Sequence, residues 1–322
     1  MARSLTLVVA GDSNYAPGIA VLLWSARRYL DPDVTLDSHI IDGGLTESDV
    51  KAIENALSSA GSEYQLTIHP VPDIEGVTSQ RTRSPMFYAR VLIPDLLPQL
   101  DRALYLDADI IVKRDLSPLL DLDFDGKLAF ASRDRGIPTL GYAGPPSFED
   151  LPLEEYNLPL DAPYMNTGML WMNLDGWRKS SVSEDTFKLG REQADRWVCQ
   201  DQSVLNVTMH GQWLELDESW NRQIWLNENF WVITPPGPAI LHFTFSKPWQ
   251  FPLDRPIGIV RFFTHCFKEC GWPQERYPEP ITHYPRQPGI LQRIREARNW
   301  VHEHGAYLWK KRQLATTHLT LD

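Results

Sequence analysis

Cysteine is scarce in this sequence, with three in 322 residues, Cys199, Cys266 and Cys270. An odd number without framework spacing excludes a disulfide-stapled scaffold and fits a reducing compartment. His265, Cys266 and Cys270 lack the two spaced ligand pairs of a zinc site, so the two cysteines four apart read as core residues of one helix face. Basic charge is also in short supply. The chain has 31 Lys and Arg against 42 Asp and Glu, a formal net charge of -11, which excludes a nonspecific nucleic-acid binder because phosphate neutralisation needs surplus cations. Long hydrophobic runs are missing as well: the longest near the start, Ile19 to Trp24, is far below the roughly 20 residues that span a bilayer. Leu5 to Ala10 is too short for a signal-peptide core and meets Gly11 and Asp12 without a small-residue cleavage site. The expected location is therefore the cytoplasm, with the mature chain starting at its N-terminus.

With 43% hydrophobic and 23% charged residues, the composition is that of a globular protein able to bury a core, as two domains or as one large α/β unit with an appendage. Leu5 to Ala10 suits a buried strand, and Pro17 to Tyr29 a helix with proline in its first turn. Val34 to Ile41 is a second strand. Thr46 with Asp49 forms a capping box that opens a helix to about Ser59, and Tyr64 to Val71 is a third strand. This βαβαβ start predicts a doubly wound, mostly parallel sheet that binds ligands beyond the carboxyl ends of its strands. A fourth strand, Ala103 to Leu106, runs into Asp107, Ala108 and Asp109. Adjacent carboxylates repel, and in a strand both would point the same way, so one hard divalent cation could accept oxygens from each.

Residues 135–163 carry six prolines, at 138, 145, 146, 152, 159 and 163, a long irregular segment of the kind that serves as a binding loop. Met169 to Leu174 reads as a strand and Ser183 to Trp197 as an amphipathic helix. Asn206, Val207 and Thr208 spell a glycosylation acceptor that reads as helix surface. Residues 1–281 are expected to form the catalytic domain and 282–322 a helical tail. The tail reverses the charge, with Arg286, Arg293, Arg295, Arg298, Lys310, Lys311 and Arg312 against Glu296, Glu303 and Asp322. Aromatic and apolar residues at helical spacing over 290–312 give either a docked terminal helix or a peripheral contact with the inner face of an anionic membrane.

Several of these segments, in order, resemble glycosyltransferase family 8, which includes glycogenin and bacterial lipopolysaccharide galactosyltransferases. Leu104 to Asp109 followed by Ile110, Ile111 and Val112 is similar to the family's D-x-D strand. Ala10 to Tyr15 looks like its nucleotide turn, and Phe87 to Val91 like its Y-A-R-L helix. Asp134, the Asn166-Thr167-Gly168 triplet, Asp201 with Gln202, and Trp220 with Asn221 match further motifs. His242 followed by Lys247, Pro248 and Trp249 resembles the H-x-x-G-x-x-K-P-W ending, with four residues instead of five between His242 and Lys247 and no glycine there.

The resemblance implies a GT-A type fold and a retaining, metal-dependent hexosyltransferase using a UDP-sugar donor. It places Asp107, Asp109 and His242 on Mn2+ or Mg2+. Asp12, Asn14 and Tyr15 would take uracil and ribose, Arg90 the donor sugar and phosphate, Lys247 the phosphate, Asn166 and Thr167 the sugar hydroxyls, and Asp134 would be a further substrate-binding carboxylate. Asp201 and Gln202 would stand beside the anomeric carbon as the catalytic pair. The acceptor, a glycan, a lipid-linked glycan or a small molecule, is not named by these motifs, and the proline-rich residues 135–163 are expected on its side. A sugar-nucleotide pyrophosphorylase is the rival enzyme, but its glycine-rich basic loop is absent: A-G-D-S-N-Y has one glycine and no lysine. A non-catalytic sugar-nucleotide or glycan binder is the other alternative.

Overall fold

The computed structural model describes residues 3–61, 63–72, 84–141, 156–192, 197, 199–224, 237–244, 247–250 and 258–273. The tail expected over 282–322, with its membrane-contact segment 290–312, lies outside the described residues, as does 142–155 of the proline-rich loop.

The βαβαβ start forms as expected: β1 (Arg3–Gly11), α1 (Ala16–Tyr29), β2 (Val34–Asp42), α2 (Glu47–Ala60) and β3 (Tyr64–Pro70). Thr46 and Asp49 make the reciprocal capping box that opens α2, and Ser13 Oγ donates to the same Asp49 carboxylate at 2.6 Å, tying that cap to the turn after β1. A 3-10 turn, Pro85–Leu92, leads into a short α3 (Ile93–Leu96), β4 (Arg102–Leu106) and β5 (Ile110–Val112). Then come β6 (Ala129–Arg133), β7 (Met165–Asn173), α4 (Leu174–Arg178), α5 (Val182–Glu192) and α6 (Gln200–Thr208). Strands β8 (Trp213–Glu215), β9 (Arg222–Gln223) and β10 (Ile240–His242) precede α7 (Gly258–Glu269).

The main sheet runs β3-β2-β1-β4-β7-β6-β8. β1 pairs in parallel with β2 and β4, whereas β7 is antiparallel to both β4 and β6. The sequence order reverses at β1, whose neighbours β2 and β4 follow it on opposite sides, and such a switch point opens a crevice at the strand ends. Leu5, Leu7 and Val9 pack with α1 and α2 on one face, while Val8, Ala103 and Tyr105 pack under Tyr88, Trp177 and Leu205 on the other. Burial on both faces is why β1 and β4 read as continuous apolar runs instead of alternating ones.

Two expectations change. β4 ends at Leu106 as expected, but Asp107 to Asp109 form a turn, not an extended strand, that carries the chain into a separate three-stranded sheet, β5-β10-β9. The two carboxylates thus converge because the backbone turns between sheets, and strand alternation plays no part. Asn206 is buried in α6 and not on its surface. Its Nδ2 donates to the carbonyl oxygens of Met165 and Gln202, both at 2.9 Å, and its Oδ1 accepts from Met165 N at 2.7 Å, so it clamps the helix to β7.

Described parts of the proline-rich segment close on themselves. Leu140 N donates to Ala162 O at 2.9 Å and Gly141 N to Leu160 O at 2.7 Å, and Ile137, Leu140, Ala162 and Tyr164 pack with Trp197 and Val204 in a small third core. Cys266 on α7 and Cys270, in the turn just after it, are both buried, the core role their spacing predicts. Among the described residues no helix is long and apolar enough to cross a membrane.

Candidate active site

A cleft of about 310 Å3 opens at the switch point, lined by Gly11, Asp12, Tyr15, Met86, Phe87, Arg90, Tyr105, Asp107, Asp109 and Lys247 among others. Its first wall is the turn after β1. Asp12 Oδ1 accepts the Asn14 backbone N–H at 2.9 Å and its Oδ2 the Asn14 Nδ2 at 3.3 Å, an Asx turn that leaves the Asn14 side chain exposed.

The cleft floor is the Asp107 to Asp109 turn with His242. The small sheet brings them together: His242 pairs with Ile110 across β10 and β5, and Phe243 N donates to Asp109 O at 3.0 Å. His242 Nε2 then stands 3.3 Å from Asp109 Oδ1 and 3.7 Å from Asp107 Oδ2. Asp107, Asp109 and His242 offer three ligand atoms within 4.8 Å of one another. Glycine at 168 makes this possible. A Cβ there would lie 2.3 Å from His242 Cε1 and 2.6 Å from Asp107 Oδ2, and the Gly168 carbonyl fixes the turn by accepting Asp107 N at 2.8 Å.

These residues fit a hard divalent cation. Asp109 is 5% exposed, yet its Oδ1 has no hydrogen-bond partner, and an ionised oxygen buried without a donor is costly unless a cation meets it. The other oxygen pairs with Lys247 Nζ, which also donates to Phe243 O at 3.0 Å. Burial opposes ionisation of Asp109, but Lys247 and His242 outweigh it and hold the carboxyl well below the ordinary range. Lys247 gains correspondingly: burial lowers its pKa, Asp109 more than restores it, and the net shift is upward. The shorter spacing after His242 therefore leaves Lys247 within reach of the floor.

Arg90 is buried behind that floor. Its Nη1 donates to Thr167 O at 2.5 Å and Thr167 Oγ1 at 3.0 Å, its Nη2 lies 3.2 Å from Asp107 Oδ1, and its Nε lies 2.8 Å from Asp201 Oδ2. The guanidinium therefore organises two carboxylates and a backbone oxygen while lining the cleft with one edge. The Nε–Oδ2 approach is an ion pair without hydrogen-bond alignment, since both atoms lack a bonded partner. Burial, only partly offset by Arg90, pushes the Asp201 carboxyl up to about 7.

Asp134, Asn166, Thr167, Asp201 and His242, all buried, and the half-buried Gln202 are brought together in one layer that does not line this cleft. Asp134 Oδ2 accepts from Asn166 Nδ2 at 2.8 Å and Gln202 Nε2 at 3.1 Å, and its Oδ1 accepts Gly136 N at 2.8 Å and Ile137 N at 2.9 Å. Gln202 Oε1 accepts Thr167 N at 3.1 Å. On the other side, Asp134 and Asn221 line a second cleft of about 340 Å3 with Arg135, Glu215, Arg222 and Gln223.

Tyr105 is the residue the motif reading missed. Its hydroxyl donates to Asp107 Oδ1 at 2.7 Å, and the Arg90 guanidinium carbon sits 4.7 Å from its ring centre. The signal was present in sequence, because Tyr105 stands two positions before Asp107 on the same side of the chain.

A crevice at the switch point of a mostly parallel sheet, floored by Asp, Asp and His, goes with the GT-A class of sugar transferase folds. The sequence model of glycosyl transferase family 8 matches residues 6–251, and the chain belongs to that family. It is 26% identical over 282 residues to general stress protein A of Bacillus subtilis (strain 168), covering 83% of this chain and 94% of that protein. To lipopolysaccharide 1,2-glucosyltransferase of Escherichia coli (strain K12) it is 23% identical, with 83% and 79% covered. The fold matches galactosyltransferase LgtC, solved with donor and acceptor sugar analogs, at a TM-score of 0.67 and 23% identity over 84% of this chain and 98% of that one.

Proposed function

We propose that this protein is a retaining transferase that moves a hexose from a UDP-sugar to an acceptor hydroxyl with Mn2+ or Mg2+ bound at Asp107, Asp109 and His242. The observation that carries the reading is the unbonded Oδ1 of buried Asp109, set beside His242 Nε2 at the floor of a cleft large enough for a nucleotide. Named relatives that transfer sugars, and a neighbour that holds donor and acceptor analogs, support it.

A nucleoside diphosphate leaves poorly until its charge is neutralised, and the cation supplies that neutralisation. The chain's own groups do the rest. Asp12 and Tyr15 line the end of the cleft where base and ribose sit. Lys247, held on Asp109, would be free to turn toward the diphosphate if a cation took over that carboxylate's charge. Arg90 holds Asp107 and Asp201 at fixed separation and presents Thr167 and Gln202 to the sugar side. Asp201 orients sugar hydroxyls through this layer, Gln202 stands by the anomeric carbon, and the acceptor hydroxyl attacks from the face the diphosphate leaves. Asp134 anchors Gln202 from behind.

A panel of UDP-hexoses with Mn2+, read as UDP release to water and then as transfer to candidate acceptors, tests this reading. Metal-dependent UDP release from one hexose is expected, followed by a product whose anomeric proton signal keeps the donor configuration. An inverted product, or turnover that survives chelation and Asp109→Asn, overturns it.

A further inference from the structure

We propose that Asn221 is the positioning residue that holds His242 with its proton on Nδ1 and its Nε2 bare, an inference that rests on the Asp107, Asp109 and His242 cation-site reading. Asn221 is 1% exposed. Its Oδ1 lies 2.9 Å from His242 Nδ1, and its Nδ2 donates to Asn166 Oδ1 at 2.9 Å. Which end of each amide is oxygen is forced by backbone N–H groups, which can only donate. Gly168 N meets the Asn166 amide at 3.1 Å, so the atom there is oxygen, and the Asn166 nitrogen is left facing the Asp134 carboxylate.

Asn221 reaches that same Asn166 oxygen, so it must do so with its own nitrogen. Its oxygen is then the atom at His242, and an oxygen at 2.9 Å requires a hydrogen on Nδ1. Proton direction thus runs from His242 through two amides to Asp134. In the neutral imidazole the lone pair then falls on Nε2, which lies 3.7 Å from Asp107 Oδ2 and 3.3 Å from Asp109 Oδ1. Metal-bound histidines depend on such an outer partner, and its loss typically weakens metal binding ten- to a hundred-fold. In this chain the partner is an amide, which also ties the cation site to the layer that carries Gln202.

The test uses the full-length protein labelled with 15N at histidine, with the His242 signals assigned by their loss in His242→Gln. At alkaline pH and without metal, the ring of His242 is expected to show a protonated Nδ1 and a bare Nε2. Mn2+ is then titrated by EPR, with and without UDP. Asn221→Ala is expected to weaken Mn2+ binding at least ten-fold with a mixture of ring tautomers. Asn221→Asp, which keeps an oxygen at Nδ1, is expected to restore the tautomer and bring Mn2+ affinity back to within about three-fold. A proton on Nε2 in the unaltered protein overturns the proposal whether or not Mn2+ binds. So does a folded Asn221→Ala with unchanged affinity, or equal loss in both variants, which marks a packing role. An unaltered protein with the expected tautomer but no Mn2+ binding overturns the cation-site reading while leaving the hydrogen-bond direction established.

Discussion

The indole Nε1 of Trp249 donates to the carbonyl oxygen of Asn14 at 3.0 Å, joining residues 235 positions apart. The last motif of the chain thereby braces the first, and the Trp249 ring meets Tyr15 edge-on with centroids 5.9 Å apart. The turn after β1 is thus held by a segment far away in the chain.

Trp249→Phe keeps an aromatic ring, though a smaller one, and removes that donor. One neutral hydrogen bond is worth about 1 kcal/mol, roughly five-fold in an equilibrium constant. The donor KM should rise by about that factor, with kcat nearly unchanged, in initial-rate measurements over UDP-sugar concentration. A fall in kcat at constant KM would refute a role confined to the turn after β1.

Gly168→Ala puts a methyl group where His242 Cε1 and Asp107 Oδ2 now stand, at 2.3 and 2.6 Å. Either the imidazole or the carboxylate must move, so Mn2+ affinity should drop at least ten-fold and transfer with it. Calorimetric titration of Mn2+ checks this, with circular dichroism to verify the fold.

Asp109→Asn strips Lys247 of its counter-charge in a place where the lysine side chain is only 14% exposed. Breaking one side of a buried pair costs about 3 kcal/mol, so urea unfolding of the metal-free variant should show a loss of that order. Adding Lys247→Met to Asp109→Asn should return part of it, because the orphaned charge goes too. Equal stabilities of the single and double variants would show that the pair is not energetically coupled.

The raised Asp201 carboxyl sets a pH dependence. Its folded value of about 7 lies above the ordinary carboxylate value of 3.8, so the folded protein holds the proton more tightly than the unfolded chain. Its contribution is favourable below about pH 4 and is lost as pH rises through about 7. The urea midpoint of the unaltered metal-free protein, relative to Asp201→Asn, should therefore fall across that window. Parallel pH curves for the two proteins would contradict the assignment.

Much of this was legible before any coordinates. The capping box at Thr46 and the apolar runs of β1 and β2 are local signals, and they give elements close to the observed bounds. The D-x-D, N-T-G and D-Q segments each mark a stretch of the site. Their assembly was less legible, because it depends on pairings between distant segments: β7 enters the sheet antiparallel between β4 and β6, and His242 reaches Asp109 through a second sheet made of three very short strands. Arg90 shows the same limit. Its sequence neighbours suggest a phosphate ligand, whereas its burial against Asp107, Asp201 and Thr167 comes from three separate stretches of chain.

The burial of Asn206 bears on how the protein can be made. A chain routed through a eukaryotic secretory pathway meets the glycan-transferring machinery while still unfolded, and Asn206-Val207-Thr208 satisfies its acceptor rule. A sugar attached to that amide has no room beside Met165 and abolishes the bonds that dock α6 on β7. Cytosolic or bacterial production avoids this, and a secreted preparation needs Thr208 replaced by a residue other than serine.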